Sequence, residues 1–555
     1  MQEKDARAGN GAGLSVAGVI IGVIGCVIIT ASSVYTALKM GALPWPTIFT
    51  SIMALVLLRA LGHRSLNEAN VTQIIMSAGS MVAGGIAFTI PGIWMLGQAQ
   101  ELQPMHVLLV ALAGTLLGLV FTALIRKRLI EESDLEYPIG VAAAETLTAS
   151  QAGGRTGLRL FGSMTIAGLW TVARDVLGII PAMLCSLPIP GVAFGLYNSP
   201  MLLSVGFLVG GTAMAFWFGG AVFANFGIIV GGSAAGLWDT ATAQGIVSSL
   251  GMGLMMGAGI GVVVHDIIPK LVHHLRGNRT DDDTTAKLFD LSRMDAGILG
   301  LLVAAAALLV CFGLGLGPIA CIVIVLLGFV TTIMSAQSVG QTGIDPMEIF
   351  GLIVLLAVAA LGESNQVRLI FVAGVIAVAC GLGGDVMSDF KTGQILGTDP
   401  RQMWIGQAIG ALLGTFVSVA VMMALVTAYG PDAFGPGKEF VSAQASVVAT
   451  MLSGIPSLPA FGIGLAFGIV MQCLSLPAMM VGLGVYLPFY MSLSAPLGAL
   501  AKVAYDHFRK RKGEGDDDKE SEDEGIVVAS GLLGGESIVG VVVALVTVAS
   551  ALTGH

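Results

Sequence analysis

Charged side chains are scarce in this sequence. Asp, Glu, Lys and Arg make up 11% of its 555 residues, whereas soluble domains carry about 25%. Hydrophobic residues make up 55%, and the mean hydropathy is +0.89. Apolar runs recur along the chain, and many reach the roughly 18–20 residues needed to cross a bilayer. The composition therefore excludes a soluble globular protein and predicts a polytopic membrane protein.

Motifs for cofactors, metals and nucleotides are missing as well. The six cysteines form no CxxC pair and the seven histidines no HExxH motif, so neither a disulfide framework nor a zinc site is predicted. The chain has no GxxxxGK[ST] segment, which argues against ATP-driven transport by this chain alone. We predict no cofactor, no metal site, no catalytic residue and no nucleic-acid partner, and the function is not expected to be enzymatic.

The predicted fold class is an all-α polytopic membrane protein with about 14–16 transmembrane helices. The candidate spans are residues 14–40, 44–62, 70–96, 105–125, 158–185, 200–218, 219–237, 244–268, 295–316, 318–338, 346–362, 366–386, 402–428, 457–480 and 525–551. Three further pieces are predicted to be re-entrant or interfacial, at 137–150, 441–455 and 484–503.

The distribution of Lys and Arg predicts which loops face the cytoplasm, because basic residues are retained on that side. Loops near 96–103 and 186–198 contain neither residue. Basic residues instead fall on the side of the N-terminal tail, at Lys4, Arg7, Arg59, Arg64, Arg126, Lys127, Arg128, Arg155 and Arg159. We therefore predict an inner (cytoplasmic) membrane protein with a cytoplasmic tail (1–13), linker (270–294) and loop (504–524). No cleavable signal peptide is expected, because the first 13 residues are polar and a long apolar run follows them.

Similar stretches occur in the same order in both halves of the chain. GALPWPTIF at 41–49 resembles GIDPMEIF at 343–350, and AGTLLG at 113–118 resembles IGALLG at 409–414. We expect two homologous repeats, 14–218 and 317–551, joined by connecting helices within 219–316. An odd number of connecting spans would invert the second copy, and inverted repeats are typical of secondary transporters with broken helices near the midplane.

GGDVMSDFKTG at 383–393 places three charges beside an apolar run. Ionisable groups inside a membrane cost about 2.5–3.5 kcal/mol and are functional candidates. Asp385 and Asp389 share a helix face, their repulsion favours proton exchange, and Lys391 could pair with either. Gly381, Gly383, Gly384 and Gly393 are expected to break or loosen the helix. The alternative is a span ending near Met387, followed by an ordinary solvated loop. The corresponding GGIAFTIPG at 84–92 is uncharged.

Four other polar clusters lie in apolar surroundings. Glu145 is expected on a short re-entrant helix that opens with Pro138 and Gly140, and its counterpart in the second half is Gln444. Asp345 and Glu348 flank Pro346, where capping of a helix start is slightly favoured over function. Glu536 is a lone carboxylate in an apolar span, which favours a pathway role. Arg174 and Asp175 are expected to form a neutralised structural pair.

Four of these stretches resemble the oligopeptide transporter family, which includes the yellow-stripe-like metal-chelate transporters. They are YPIGVAAAE (137–145), GDVMSDFKTGQILGTDPRQMWIGQAIGALLG (384–414), LPAMMVGLGVYLPF (476–489) and GIVVASGLLGGESIVGV (525–541). The resemblance implies a proton-driven importer of short peptides or metal–amino-acid chelates. Positions carried over from it are Tyr137, Pro138, Glu145, Asp385, Asp389, Lys391, Thr392, Gly393 and Glu536. Two departures are Asp345 before Pro346, where many relatives have Asn-Pro, and Ile139, where many have an acid.

Three functions follow from these patterns. The first is a proton-coupled peptide symporter, in which Asp389 or Glu536 takes up the proton and Lys391 and Glu145 match the peptide termini. The second is a symporter for metal chelates. The third, from a different class, is an ion-pumping membrane pyrophosphatase, which needs carboxylate clusters around Mg²⁺. Expected partners are a small-molecule substrate, protons and lipid, and a homodimer is compatible with all three.

Overall fold

The structure is a computed structural model that describes residues 13–40, 43, 47–133, 135, 137–149, 156–262, 296–342, 345, 347–511 and 519–553. The cytoplasmic linker predicted at 270–294 lies outside these residues, as do Pro346, residues 1–12 of the tail and residues 512–518 of the loop. Glu145 is placed by its backbone, but its side chain is outside the described set.

Helices account for nearly all of the regular structure in the first half of the chain. In chain order they are α1 (Val16–Met40), α2 (Thr47–Ala60), α3 (Leu66–Ala87), α4 (Pro91–Met95), α5 (Pro104–Arg126), α6 (Pro138–Ala149), α7 (Thr156–Thr171), α8 (Pro200–Val209), α9 (Gly211–Val222), α10 (Gly232–Ala234) and α11 (Thr240–Val262). Strands β1 (Met183–Ile189) and β2 (Val192–Tyr197) lie between α7 and α8.

Within the described residues, all the regular elements of the second half are helices. Its helices are α12 (Ala296–Leu308), α13 (Pro318–Thr342), α14 (Met347–Ala360), α15 (Gln366–Leu396), α16 (Pro400–Tyr429), α17 (Ala443–Ser453), α18 (Leu458–Cys473), α19 (Ala478–Tyr486), α20 (Phe489–Arg511) and α21 (Lys519–Thr553). Short π-helical turns extend α5, α7, α9 and α12 at their C-terminal ends.

The helix starts follow from local sequence. Side chains of Ser65, Asn365 and Asp399 accept hydrogen bonds from backbone N–H groups in the first turns of α3, α15 and α16, which satisfies donors that a helix leaves free. Proline occupies the first position of α5, α8 and α16, where its missing N–H costs nothing. Gly397 ends α15 in the left-handed conformation, at φ 76°.

Length and composition confirm the all-α polytopic fold class. Within the described ranges, seven helical segments are long and apolar enough to cross a membrane, and six shorter apolar helices accompany them. Many large apolar side chains also lie on the surface, including Leu301, Phe312 and Ile319, as expected where helices face lipid. The helix that contains α3 and α4 is broken by a turn at residues 88–90, just before Pro91.

The residues form two compact units, and each unit takes chain from both halves of the sequence. The first unit comprises Met1–Gly157, Arg279–Ala449 and Ala544–His555, and the second comprises Leu158–Asn278 and Thr450–Val543. In the first unit, α3 and α15 are central, and the most apolar stretch of each is completely buried. Helices α1, α5 and α16 pack around them together with α13 and α14.

The second unit contains both β-strands of the described chain. The span predicted at 158–185 is helical only to Val176, and its remainder enters a hairpin of β1 and β2. Pro188 and Pro190 cannot continue a helix, and Pro190-Gly191 turns the chain between the paired residues Ile189 and Val192, with Gly191 at φ 78°. Elsewhere in this unit α11 packs on α18 and α19, and α8 packs on α20.

Within the first unit, glycines let helices from the two halves of the sequence approach closely. A Cβ atom on Gly114 of α5 would collide with the carbonyl oxygen of Val375 on α15, and one on Gly410 of α16 would collide with that of Ile75 on α3. Small residues at such positions allow backbones to touch. A helix of the first half thus packs on α15 of the second half, and a helix of the second half packs in the same way on α3 of the first half.

The two short helices α6 and α17 each begin with a hydrogen bond to the other half of the sequence. The Tyr137 N–H donates to the carbonyl oxygen of Gly340 at the end of α13, and the Ser442 N–H donates to that of Leu38 at the end of α1, each at 2.9 Å. Tyr137 and Ser442 both have positive φ, at 49° and 45°. This is an uncommon conformation for residues other than glycine, and it sets the direction in which each short helix leaves the preceding chain.

Candidate functional site

Helix α15 runs without interruption through GGDVMSDFKTG. The predicted helix break and the alternative of a solvated loop are therefore both wrong. No break occurs at its glycines, and no loop begins after Met387, because the helix extends to Leu396. The glycines serve close packing instead. A Cβ on Gly381 would meet the sulfur of Met347, and one on Gly383 would meet the side chain of Thr332. The charged residues are thereby held at fixed positions on a buried helix.

Asp389 is buried on the face of α15 that packs against α3. The side-chain amide of Gln73 donates a hydrogen bond to its Oδ1 at 2.8 Å. Its Oδ2 is buried and has no hydrogen-bond partner. One carboxylate oxygen is therefore fixed by a neutral donor, while the other is buried without a hydrogen bond to the described residues.

Asp385 lies one turn before Asp389 and is fully buried. The hydroxyl of Thr47, the first residue of α2, donates to its Oδ1 over a long 3.4 Å. As in Asp389, Oδ2 is buried and unpartnered. The two aspartates share one helix face, as their spacing predicted.

Asp345 joins this region from the segment before α14. Its Oδ1 accepts a 2.6 Å hydrogen bond from the Ser335 hydroxyl, and its Oδ2 is a third buried oxygen without a partner. A Cβ on Gly384 would lie 2.7 Å from that Oδ2, so the glycine leaves room for the carboxylate beside α15. Glu348 is buried in the first turn of α14, a position where the helix dipole favours an acid.

The three buried aspartates of this unit, Asp345, Asp385 and Asp389, form no ion pair with the described basic residues. An uncompensated buried charge is costly, so such groups persist where a proton or a charged ligand completes them. Within the same residues, no group of three or more His, Cys, Asp or Glu side chains could hold a metal ion. The arrangement suits proton exchange or contact with a cationic group.

Lys391 does not pair with either aspartate, contrary to expectation. It lies two residues beyond Asp389, about 200° around the helix, and therefore on a different face. The half-buried Lys391 lies instead against α6, where a Cβ on Gly140 would be 3.1 Å from the lysine Cβ. The neighbouring Thr392 hydroxyl donates to the Gly140 carbonyl oxygen at 2.8 Å. These contacts fix α6, which carries Glu145, beside α15.

The two other predicted positions of this unit lie at the starts of the short helices. Tyr137 is fully buried, packs its ring against Gly340, and has an unpartnered hydroxyl. Gln444 is buried in the first turn of α17. Gly393 packs against the side chain of Met403. The motif YPIG therefore positions a helix end, with Gly140 providing close approach to α15.

Glu536, in the second unit, is not the lone carboxylate that its sequence context indicated. Arg174 donates to its Oε1 at 2.9 Å, the Ser199 hydroxyl contacts both oxygens, and the Met201 N–H at the start of α8 donates to Oε2 at 2.8 Å. Arg174 also holds Asp175 through two hydrogen bonds of 2.6 and 2.7 Å. The predicted Arg174–Asp175 pair is confirmed, and Glu536 is its third member. This saturated network has the character of a structural cluster.

The sequence interpretation missed a stripe of neutral polar residues on α3. At spacings of three or four, one face carries Asn67, Asn70, Gln73, Ser77 and Ser80. All except Asn67 are buried. On α15, aligned with α3 by their N-caps Ser65 and Asn365, the corresponding residues are Val367, Ile370, Ala373, Ala377 and Cys380. The helical period of amides and hydroxyls in an otherwise apolar segment was the available signal. Gln407 of α16, buried with both amide atoms unpartnered, gave no such signal.

Comparison with known proteins identifies the family. A family profile described as OPT oligopeptide transporter protein matches residues 14–547. The chain belongs to the oligopeptide transporter family. A putative oligopeptide transporter of Haemophilus influenzae is 25% identical over 600 aligned positions, which cover 94% of this chain and 93% of that protein. With its apolar helices, this family member is a multi-pass membrane transporter for a small-molecule substrate.

Plant relatives match over shorter regions. The metal-nicotianamine transporter YSL2 of Arabidopsis thaliana is 30% identical over 147 positions, covering 24% of this chain and 21% of its own length. The probable metal-nicotianamine transporter YSL8 of the same plant is 25% identical over 246 positions, covering 39% and 32%. The transporter is therefore related along its whole length to a bacterial protein and in part to plant transporters.

Proposed function

We propose that this oligopeptide transporter family member is a secondary active transporter that couples proton entry to the uptake of short oligopeptides by alternating access. The observation that carries the proposal is the set of buried carboxylates Asp345, Asp385 and Asp389. Each has one oxygen bonded to a neutral donor and one oxygen without a partner. Protonation removes the negative charge of such a group, which lowers the cost of burying it.

These acids occur in the second half of the sequence and not at the corresponding positions of the first half, which supports a transport role. When α3 and α15 are aligned on Ser65 and Asn365, Gly85 and Thr89 occupy the positions of Asp385 and Asp389. The most apolar stretch of each helix is completely buried, and the two helices receive equivalent glycine contacts from α16 and α5. Packing is therefore achieved without acids in one copy, and the acids in the other copy need a different explanation.

The mechanism follows from the cost of the buried charge. Protonation of Asp389 replaces an uncompensated carboxylate by a neutral group, which makes a closed, dry state less costly. The proton drives the switch between the two faces only by binding one of them more tightly. Lys391 of α15 and Glu145 of α6 lie on two helices that pack together, and they would match the two charged ends of a peptide. Glu536 already has its partners, so Asp385 and Asp389 are the better proton candidates.

The proposal includes the domain organisation predicted from the sequence. We take 14–218 and 317–551 as inverted repeats, 219–316 as connecting helices, and the N-terminus as cytoplasmic in the inner membrane. Matching lengths support the repeats. Helices α1 and α13 each have 25 residues, α2 and α14 each have 14, and α7 and α18 each have 16. The repeats would then be intertwined, because each compact unit contains parts of both. A homodimer remains part of this proposal and is testable by light scattering.

The direct test is uptake into proteoliposomes with an imposed pH gradient, using di- to hexapeptides. We expect accumulation of at least one peptide above its external concentration, abolished by a protonophore. Accumulation that is indifferent to the protonophore, or no accumulation of any substrate offered, would refute the proposal. An unselective leak is distinguished by liposomes that lack the protein.

A metal chelate is the second candidate substrate. The regional similarity to plant metal-nicotianamine transporters favours it. The same assay with iron or copper chelates decides between the two, because the preferred class should compete with the other at lower concentration. The pyrophosphatase alternative receives no support from the family, and the carboxylate clusters that it requires are not found in the described residues.

A further inference from the structure

Gln73 holds one oxygen of the buried Asp389 carboxylate and makes further hydrogen bonds of its own. It is fully buried in α3, and its Nε2 donates to Asp389 Oδ1 at 2.8 Å. The same Nε2 lies 3.5 Å from the side-chain oxygen of Asn70. Its Oε1 accepts a hydrogen bond from the Thr50 hydroxyl at 3.2 Å. Both ends of the amide are therefore occupied.

These contacts fix the orientation of the Gln73 amide. An amide presents two donors at its nitrogen and an acceptor at its oxygen. An ionised carboxylate only accepts hydrogen bonds, so the amide nitrogen must face Asp389, and the amide oxygen then lies against the Thr50 hydroxyl. Rotation of the amide would place its oxygen against the carboxylate and break the hydrogen bond to Asp389. Asp389 Oδ1 thus has a fixed donor, and Oδ2 is left as the atom that changes partner.

The same network extends to the turn between α15 and α16. Asn70 Nδ2 donates to the Thr398 hydroxyl at 3.1 Å, and that hydroxyl donates to the Asn67 side chain at 3.0 Å. Thr398 directly follows Gly397, the left-handed residue that ends α15. A chain of hydrogen bonds therefore connects the buried carboxylate with the hairpin turn that joins two long helices.

Packing does not require this network. The residues that correspond to Gln73 and Asn70 on α15 are Ala373 and Ile370, and both are buried. A buried amide is retained at a cost unless its hydrogen bonds are all made. Gln73 meets that condition only because Asp389, Thr50 and Asn70 surround it.

We infer that Gln73 is a positioning residue for Asp389, and that through Asn70 it transmits the charge state of Asp389 to the Gly397–Thr398 turn. The inference rests on the proposed proton coupling and adds the residue that holds the coupling carboxylate. An ionised Asp389 accepts strongly from Gln73, and a protonated one accepts more weakly. The hydrogen bond from Asn70 of α3 to Thr398 of the turn therefore responds to the protonation of Asp389.

The first test needs no substrate. Infrared difference spectra of the reconstituted protein, recorded between two pH values, should contain a carboxyl band that Asp389→Asn removes. In Gln73→Met, which keeps the size and loses the amide, we expect its titration midpoint to move to higher pH by about one unit, because a donor to the charged form is lost. Gln394→Leu is the control. It removes an exposed amide of α15 that bonds only the Ile130 carbonyl at 3.0 Å, and its midpoint should not move.

The second test uses the peptide that the wild-type protein accumulates. Gln73→Met should lower gradient-driven accumulation by about tenfold or more, the usual effect of a lost hydrogen bond to a charged group, and leave exchange at equal pH unchanged. Asn70→Leu, which removes the bond to Thr398, should lower gradient-driven accumulation in the same direction. An unchanged infrared midpoint in Gln73→Met would overturn the positioning role. Normal gradient-driven accumulation in Asn70→Leu would overturn transmission to the turn. If no peptide is accumulated at all, the proposed function fails while the infrared result still decides the role of Gln73.

Discussion

Two kinds of buried carboxylate occur in this transporter, and their partners distinguish them. Asp385 and Asp389 each keep an oxygen without a hydrogen bond. Glu536 uses both oxygens, with Arg174, Ser199 and the Met201 N–H. From the sequence, all three look alike as acids in apolar segments. Partners distant in the chain decide the difference, and local sequence does not contain that information.

Removal of an unpaired acid should not weaken the fold. We expect Asp389→Asn to unfold at the same temperature as the wild type or at a higher one, because the isosteric amide removes a buried charge without leaving a cavity. Thermal unfolding in detergent, followed by intrinsic fluorescence, measures the effect. The exposed Asp432→Asn is the control. A large loss of stability in Asp389→Asn would mean that Asp389 has a structural partner.

Removal of the partner of Glu536 should have the opposite effect. Arg174→Met leaves Glu536 buried without its cation, which typically costs about 3–5 kcal/mol. Asp175→Asn should cost less, because that side chain is 33% exposed and water replaces part of the interaction. The same unfolding assay compares the two variants. Equal stability of Arg174→Met and the wild type would contradict the structural assignment.

At the scale of elements, the stretch GGDVMSDFKTG shows what sequence could and could not predict. The spacing of Asp385 and Asp389 correctly placed both on one helix face. The glycines were taken for a helix break, yet a glycine signals either a break or a close contact, and only the neighbouring helices decide. Met347, Thr332 and the Asp345 carboxylate occupy the space that side chains would need.

The contact between α6 and α15 depends on Gly140. A Cβ there would collide with the Ser388 carbonyl oxygen, so we expect Gly140→Ala to displace α6 and to lower uptake strongly. Gly300→Ala in α12 is the matched control, because nothing lies within 4 Å of its added Cβ and alanine favours helix by about 1 kcal/mol. Uptake by proteoliposomes checks both. If Gly140→Ala transports normally, close approach at this position is not required.

At the scale of the whole molecule, sequence matches predict that the halves are related, but the arrangement of their contacts was not predictable. Gly114 and Gly410 lie in the matching segments AGTLLG and IGALLG. That each packs on the other half's central helix follows only from the structure. The hydrogen bonds that Tyr137 and Ser442 make to the other half of the sequence likewise depend on positive φ angles. Neither tyrosine nor serine predicts that conformation.

Equivalent contacts should have equivalent energetic weight. We expect Gly114→Val and Gly410→Val to destabilise the protein to a similar extent, because each forces a side chain against a backbone carbonyl of the opposite half. Thermal unfolding of the two variants at one detergent concentration is the measurement. A severe effect of one with no effect of the other would contradict the proposal that the halves are packed as matched repeats.

The central claim is that the buried acids of the second half couple proton movement to transport. It is tested most directly by recording the internal pH of proteoliposomes while a transported peptide is added outside. The account predicts peptide-dependent acidification by the wild type. It predicts no acidification by Asp389→Asn, although that variant still exchanges peptide at equal pH. Acidification by Asp389→Asn at the wild-type rate, or peptide uptake by the wild type without any proton movement, would contradict the account.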